Sequence, residues 1–157
     1  MGVFRKFFSI YCIIVFLVFM LLLFPFVIFA SFFGKVKGGN MVYKICGLWA
    51  DLAFFFWGIG HKYIYEAPKL DTAVFIFNHI SYLDAAILVK AFRKRPVRVL
   101  GKAEMAQVPI FGFIYKNAVV MVNRSSPEAR YQSLQLLKQI VRKGISIIIA
   151  PEGTFNV

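Results

Sequence analysis

Thr72-Ala73-Val74-Phe75-Ile76-Phe77-Asn78-His79-Ile80-Ser81-Tyr82-Leu83-Asp84 joins two kinds of pattern in one short stretch. Residues 72–77 form an apolar run of strand length, rich in β-branched and aromatic side chains. From Ser81 the pattern becomes helical and runs through Ala85, Ala86, Ile87, Leu88 and Val89 to about Phe92. His79 therefore falls in a tight strand-to-helix turn, and Asp84 falls on the first helical turn. The bend can fold the carboxylate back toward the imidazole, as a straight strand could not. A carboxylate on one ring nitrogen fixes the tautomer and leaves the other nitrogen as a base. Ser81 and Asp84 also fit a capping box with Ser81 as N-cap, so a purely structural turn is the alternative.

Downstream, strands and helices alternate. Arg93-Lys94-Arg95-Pro96 is a basic loop ending the first helix, because proline disfavours helix just before it. Val97–Leu100 reads as a strand, and Gly101–Met105 leads to a Pro and Gly turn at 108–112. Ala118–Val122 reads as a strand. Ser125-Ser126-Pro127-Glu128 opens a helix with N-cap serines, an early proline and an early acid. Leu134, Leu137, Ile140 and Val141 give that helix its stripe, and Gly144 closes it. Ile145–Ala150 is a continuous apolar run, as in a strand buried on both faces. Tyr63-Ile64-Tyr65 reads as a short strand, with a turn over Pro68–Asp71. This alternation predicts an α/β fold with a largely parallel sheet and flanking helices. A domain whose last element is a core strand and a loop is expected to be incomplete at its C-terminus.

Upstream, residues 1–60 have a different texture. Phe7–Phe24 is an apolar run whose length as a helix, about 27 Å, is close to the hydrocarbon thickness of a bilayer. Pro25 interrupts it, and apolar character continues to Phe33. The run is too long for a signal-peptide core and no small-residue cleavage site follows, so it reads as a retained membrane anchor. Gly34-Lys35-Val36-Lys37-Gly38-Gly39-Asn40 is a basic turn. Met41–Gly60 is a second apolar segment, with Trp49 and Trp57 suited to an interface. A lone Asp51 in mid-bilayer would be costly. The second segment therefore reads as an interfacial or re-entrant helix packed on the first. The division expected is residues 1–60 as anchor and residues 61–157 as the α/β domain.

Composition agrees. A hydrophobic content of 60% and mean hydropathy of +0.71 exceed those of ordinary soluble domains. The net charge of +12 points to an anionic partner. A lipid surface or a phosphorylated substrate fits; nucleic acid is not expected, because no motif for it accompanies the charge. Cys12 and Cys46 lack partner histidines at ligand spacing, so no metal site is expected.

Three polar loops follow strands: Asn78 to Asp84, the loop at Arg124, and Glu152-Gly153-Thr154. In open α/β sheets the ligand lies beyond the carboxyl ends of the strands. A guanidinium at Arg124 can grip phosphate through two parallel hydrogen bonds, and Lys102 can add a point charge. Glycine at 153 permits close backbone approach, and Glu152 can hold a substrate hydroxyl or a basic neighbour. Individually each residue also has an ordinary reading, as a solvated charge or a simple turn.

Taken together, these blocks resemble the glycerolipid acyltransferases, the family of bacterial lysophosphatidate acyltransferase. Asn78-His79, Ser81 within the spacer, and Asp84 resemble the family's His-four-residues-Asp signature. Lys102-Ala103-Glu104, Pro109, Gly112 and Val122-Asn123-Arg124 resemble its second motif. Here Lys116-Asn117-Ala118 stands where the family often has glycine, and Asn123 replaces a frequent Asp. Pro151-Glu152-Gly153-Thr154 resembles its Pro-Glu-Gly-Thr motif, followed by Phe155 where Arg or another polar residue is usual. A fourth motif would lie beyond Val157. The resemblance covers roughly residues 60–157.

The resemblance implies transfer of a fatty acyl group from acyl-CoA or acyl-carrier protein to the free hydroxyl of lysophosphatidate. His79 would be the base and Asp84 its orienting partner. Arg124 and Lys102 would hold the acceptor phosphate; Asn78, Ser81, Glu152, Gly153 and Thr154 would complete the substrate site. No cofactor or metal is implied, beyond the acyl thioester as co-substrate. No Gly-x-Ser-x-Gly elbow offers a serine nucleophile, which agrees with direct attack. Partners would be membrane lipid, the lysophospholipid and the acyl carrier, with the catalytic domain on the cytoplasmic side. The alternatives are another acceptor, such as glycerol-3-phosphate, a different lysophospholipid or an amine lipid, or a non-catalytic membrane-anchored lipid-binding module.

Overall fold

The structure, a computed structural model, describes residues 2–64, 71–123 and 126–153. Helix α1, Val3–Ser31, runs without interruption through Pro25. At 1.5 Å per residue it is about 43 Å long. Its apolar composition makes it the single described helix long and apolar enough to cross a membrane. The basic turn is a π-helical segment, Gly34–Gly38, that passes directly into α2, Gly39–Trp57. Gly38 is required there: a Cβ would collide with the Ala30 carbonyl oxygen of α1. Gly58 ends α2 at φ 69°, with the Ile59 amide reaching back to Phe54.

The two helices form an antiparallel hairpin. Trp49 and Trp57, which the sequence suggested for a membrane interface, donate their indole N–H groups to the carbonyls of Phe16 and Cys12 on α1, each at 3.2 Å. Tyr11 donates to the Phe56 carbonyl at 2.8 Å. These aromatic residues join one helix to the other.

After the hairpin, Tyr63 and Ile64 are not strand; Tyr65 and the turn expected from Pro68 lie largely outside the described residues. The α/β region then runs β1 (Val74–Ile76), α3 (Leu83–Ala91), β2 (Val97–Lys102), a 3-10 turn at Ala103–Gln107, α4 (Phe111–Ala118), β3 (Val119–Val122), α5 (Pro127–Arg142) and β4 (Ser146–Ile149). All pairings are parallel and the strand order is β1-β4-β2-β3. Buried Ser146 sets the start of β4: its hydroxyl accepts from the Ala73 amide at 3.1 Å.

Helix α5 starts as its sequence dictates. The Ser126 hydroxyl accepts from the Ala129 amide at 3.1 Å, with Pro127 at the first position. Helix α4 is an addition to the sequence reading, which places a turn at 108–112, a strand from Ala118 and no element between them. It follows Ile110, which sits at φ 61° and ψ −60° with the Phe111 amide bonded to the Pro109 carbonyl. That is a γ-turn with positive φ, strained for a β-branched residue. Gly112 is needed two residues later, because a Cβ would collide with the Ala106 carbonyl.

One core serves both parts. Met20, Val27, Val42, Tyr43 and Cys46 of the hairpin pack in a single cluster with Leu88, Val97, Ile114, Ala118 and Ile148. Helix α2 contacts α3 and α4, so the hairpin lies against the α/β region along its length.

Candidate active site

The site is built at the carboxyl end of β1. The Phe77 amide bonds to the Ile149 carbonyl at 3.1 Å, extending the β1–β4 pairing to the mouth of both loops. Beyond it the chain turns through Asn78 and His79 into α3. His79 Nδ1 lies 2.8 Å from Asp84 Oδ2. The same carboxylate oxygen accepts from the Ile80 amide at 2.8 Å and the Ser81 amide at 2.9 Å. The Ser81 hydroxyl accepts from the Leu83 amide at 3.1 Å. The histidine–carboxylate contact is present, whereas the capping box is only half made: α3 starts at Leu83 with Tyr82 as N-cap, and of the box only the Ser81 amide to Asp84 bond forms. Asp84, in the first turn of α3, ties down the two amides that precede the helix and holds the imidazole with the same oxygen.

Partial burial pushes the Asp84 carboxyl up. The Ser81 amide, the His79 ring and the Ile80 amide together outweigh that, and hold it below its ordinary value. Asp84 thus stays ionised at neutral pH and fixes a proton on Nδ1. Nε2 lies across the ring from the carboxylate. The His79 side chain is 30% exposed, accessible from the open side of the turn. Phe77 packs edge-on against the ring, with centroids 5.6 Å apart.

The adjacent loop closes the turn from the other side. The Glu152 carboxylate accepts from the His79 backbone amide at 3.1 Å. Sequence reasoning offered Glu152 as a partner for a substrate hydroxyl or a basic side chain; here its described contact is to the backbone of the histidine itself. Gly153 takes φ 67°, which the tight turn after β4 requires. The amides of His79, Ile80 and Ser81 are all engaged inside the site, by Glu152 and Asp84. This internal use of backbone donors is a feature that residue spacing alone did not reveal.

Lys102 ends β2, the other neighbour of β4, and is exposed in register with Val122. His79 and Glu152 thus follow β1 and β4, and Lys102 is the last residue of the next strand, β2. Asn78 is exposed at the turn. Arg124 and Thr154 lie outside the described residues. Among the described residues, no group of three His, Cys, Asp or Glu side chains is placed to hold a metal ion.

An imidazole oriented by a carboxylate at the strand ends of an open parallel sheet can serve as an acid–base pair. The chain belongs to the Acyltransferase family, whose profile matches residues 61–156. It is 28% identical over 126 residues to a 1-acyl-sn-glycerol-3-phosphate acyltransferase of Cocos nucifera, covering 78% of this chain and 39% of that protein. A probable 1-acyl-sn-glycerol-3-phosphate acyltransferase of Mycoplasma pneumoniae is 32% identical over 93 residues, covering 57% of this chain and 35% of that one. A lyso-ornithine lipid O-acyltransferase of Pseudomonas aeruginosa is 31% identical over 90 residues, covering 57% and 33%. The chain thus spans between a third and two fifths of the length of these relatives. No solved structure matches it.

Proposed function

We propose that this chain is the acid–base part of an O-acyltransferase that moves a fatty acyl group from acyl-CoA or acyl-carrier protein to the free hydroxyl of lysophosphatidate, in phospholipid synthesis. The observation that carries this reading is the 2.8 Å contact between His79 Nδ1 and Asp84 Oδ2 at the carboxyl end of β1. Nε2 takes the proton of the acceptor hydroxyl as its oxygen attacks the thioester carbonyl. The tetrahedral intermediate collapses with cleavage of the C–S bond, and the imidazolium returns its proton to the departing thiolate. Asp84 stabilises the imidazolium in between. Glu152 fixes the histidine backbone, so that the ring does not need to reorganise during the reaction.

In this reading Lys102 and Arg124 hold the acceptor phosphate. Helix α1 seats the chain in the membrane that contains the acceptor, with the site on the cytoplasmic side. Names of several relatives favour a glycerol-phosphate acceptor, while the Pseudomonas aeruginosa relative favours a second reading in which the acceptor is a lyso-ornithine lipid.

The test is release of free thiol from acyl-CoA or acyl-carrier protein by the full chain in vesicles. Acceptor-dependent release is expected, and vesicle binding without release would leave only the lipid-binding module. Arg124→Ala should lower kcat/KM for the phosphate acceptor by roughly 10- to 150-fold, since hydrogen bonds to charged groups contribute about 1.5–3 kcal/mol. Arg124→Lys should recover part of this, and the donor KM should hold. A defect confined to the donor would move Arg124 to the carrier side of the site.

A further inference from the structure

Two deeply buried cations lie outside the site: Lys90, 5% exposed, and Arg98, 4% exposed. Burial of a charge is costly unless it is fully engaged. Each reaches out of the α/β region into the hairpin, to residues that precede the family match at 61–156.

Lys90 Nζ lies 2.8 Å from Asp51 Oδ1 on α2 and 4.6 Å above the centre of the Phe54 ring. Arg93 meets the same carboxylate through both oxygens, at 2.7 and 2.8 Å. Asp51 is therefore the partner of two cations, Lys90 in the last turn of α3 and Arg93 just beyond its end; the first turn of the same helix carries Asp84. The sequence gives a reason to expect that Asp51 does not stand alone in a bilayer, and its carboxylate is paired twice with the α/β region.

Arg98, on β2, engages the other end of α2. It donates to Asn40 Oδ1 at 2.8 Å and to the carbonyls of Lys35 and Val36 at 3.1 and 3.2 Å. Gly39 is shaped for this approach, since a Cβ there would collide with the Arg98 guanidinium. Lys35 in turn donates to the Lys116 carbonyl at the end of α4, at 3.3 Å. Asn40 and Asp51 are about 16 Å apart along α2. Apolar packing is non-directional and lets a helix slide or roll. Two directional ties this far apart do not.

We propose that Asp51 and Arg98 are positioning residues. They lock the lipid-facing hairpin to the sheet at two points, and so fix the height of the His79 turn above the bilayer. The inference rests on the acyl-transfer reading above and deepens it: the acceptor is taken from the lipid surface, at a depth the hairpin sets.

The test uses the full chain in phosphatidylcholine vesicles containing anionic lipid. Two variants remove the ties while keeping packing: the double substitution Asp51→Leu with Lys90→Met, and Arg98→Met. Apolar replacement of a buried ion pair is often neutral or stabilising, so the double variant should fold. Arg98→Met removes a buried charge bonded to neutral oxygens, and circular dichroism checks its fold. Arg98→Lys is the conservative control. A depth probe is placed at Ile80, in the site turn and 68% exposed, through Ile80→Cys with Cys12→Ser and Cys46→Ala. In the parent the probe should report one narrow depth, and in both tie variants a broadened or shifted one.

Thiol release should fall about 10-fold in kcat/KM with acceptor in the bilayer, because small misplacements of reacting groups are costly. With a water-soluble short-chain acceptor it should change by no more than about 3-fold, and Arg98→Lys should fall between. An unchanged depth overturns the inference, as does an equal loss on both acceptors, which would mean local damage to the site. A parent that releases no thiol would sink the acyl-transfer reading, while the depth probe would still decide the positioning role.

Discussion

Asp84 and Asp51 are two partly exposed carboxylates with basic neighbours, and both are held below their ordinary value. Asp51 is drawn down to about 2 by the Arg93 guanidinium first and then by Lys90, against the opposing effect of burial. Their partners nevertheless give them different capabilities. Asp51 is tied to a lysine and an arginine, and the cluster joins α2 to α3 and the turn after it. Asp84 holds an imidazole, the side-chain type most often used to move a proton in general acid–base catalysis. A depressed carboxyl is therefore no mark of chemistry by itself. The neighbour it holds decides what it can do.

The sharpest way to break this contrast is to measure thiol release with a soluble acceptor. His79→Ala should lower it by roughly 10²–10⁴-fold with circular dichroism unchanged, and Asp84→Asn should lose much of the rate by releasing the ring's tautomer. Asp51→Asn should stay within about 3-fold in the same assay, since its carboxylate touches no reacting group. An Asp51→Asn loss as large as that of Asp84→Asn would erase the distinction.

Stability should rank the pair the other way. Asp51→Ala leaves Lys90 buried without its carboxylate, and denaturant unfolding should report about 1–3 kcal/mol lost. Asp84→Ala removes an acceptor from two amides at a helix start, and about 1 kcal/mol is expected. Equal losses would mean that the Lys90 ammonium finds solvent.

Acid provides a finer comparison. Because Asp51 has a folded value of about 2 against 3.8 ordinarily, its contribution is fully present above about pH 4 and is lost as pH falls toward 2. Asp84 acts in the same direction. Asp51→Asn should therefore flatten the acid limb of a stability–pH curve between pH 4 and 2. A limb unchanged by this substitution would place the acid sensitivity elsewhere.

The smallest expected effect concerns the γ-turn. Ile110→Gly removes positive-φ strain at a residue that is 36% exposed, so thermal unfolding should show a gain of up to about 1 kcal/mol. A clear loss would mean that the Ile110 side chain contributes more by packing than its backbone stores as strain.

Most of the strands were legible because each is a short apolar run bounded by turn residues, and Ile145–Ala150 carried the signature of a buried parallel strand. The His79–Asp84 turn was legible for the same reason: the period of the apolar residues changes within it. Strand order was not, since placing β4 between β1 and β2 depends on packing that no local pattern encodes. Helix α4 was hidden by Pro109 and Gly112, which read as a turn but stand just before it and in its first turn. The partners of Asp51 lie 39 and 42 positions away, beyond any helical or strand spacing. Arg98 carried a usable signal, a cation inside the apolar strand Val97–Leu100, but the oxygens it reaches belong to another segment. Arg124 and Thr154, the remaining residues of the sequence-derived site, fall outside the described residues.

The insertion of β4 between β1 and β2 has a consequence for how the molecule comes to exist. The hairpin and the β2–β3 pair can form early from nearby residues. β1 has no described partner but β4, which follows it by about 70 positions. Parallel pairings at such separation form slowly, because a long loop must close before any contact rewards it. On the ribosome, the His79 turn emerges well before Glu152, and its amide must wait for that carboxylate. A nascent chain can therefore fold its apolar hairpin before the contact between Glu152 and the His79 turn is made.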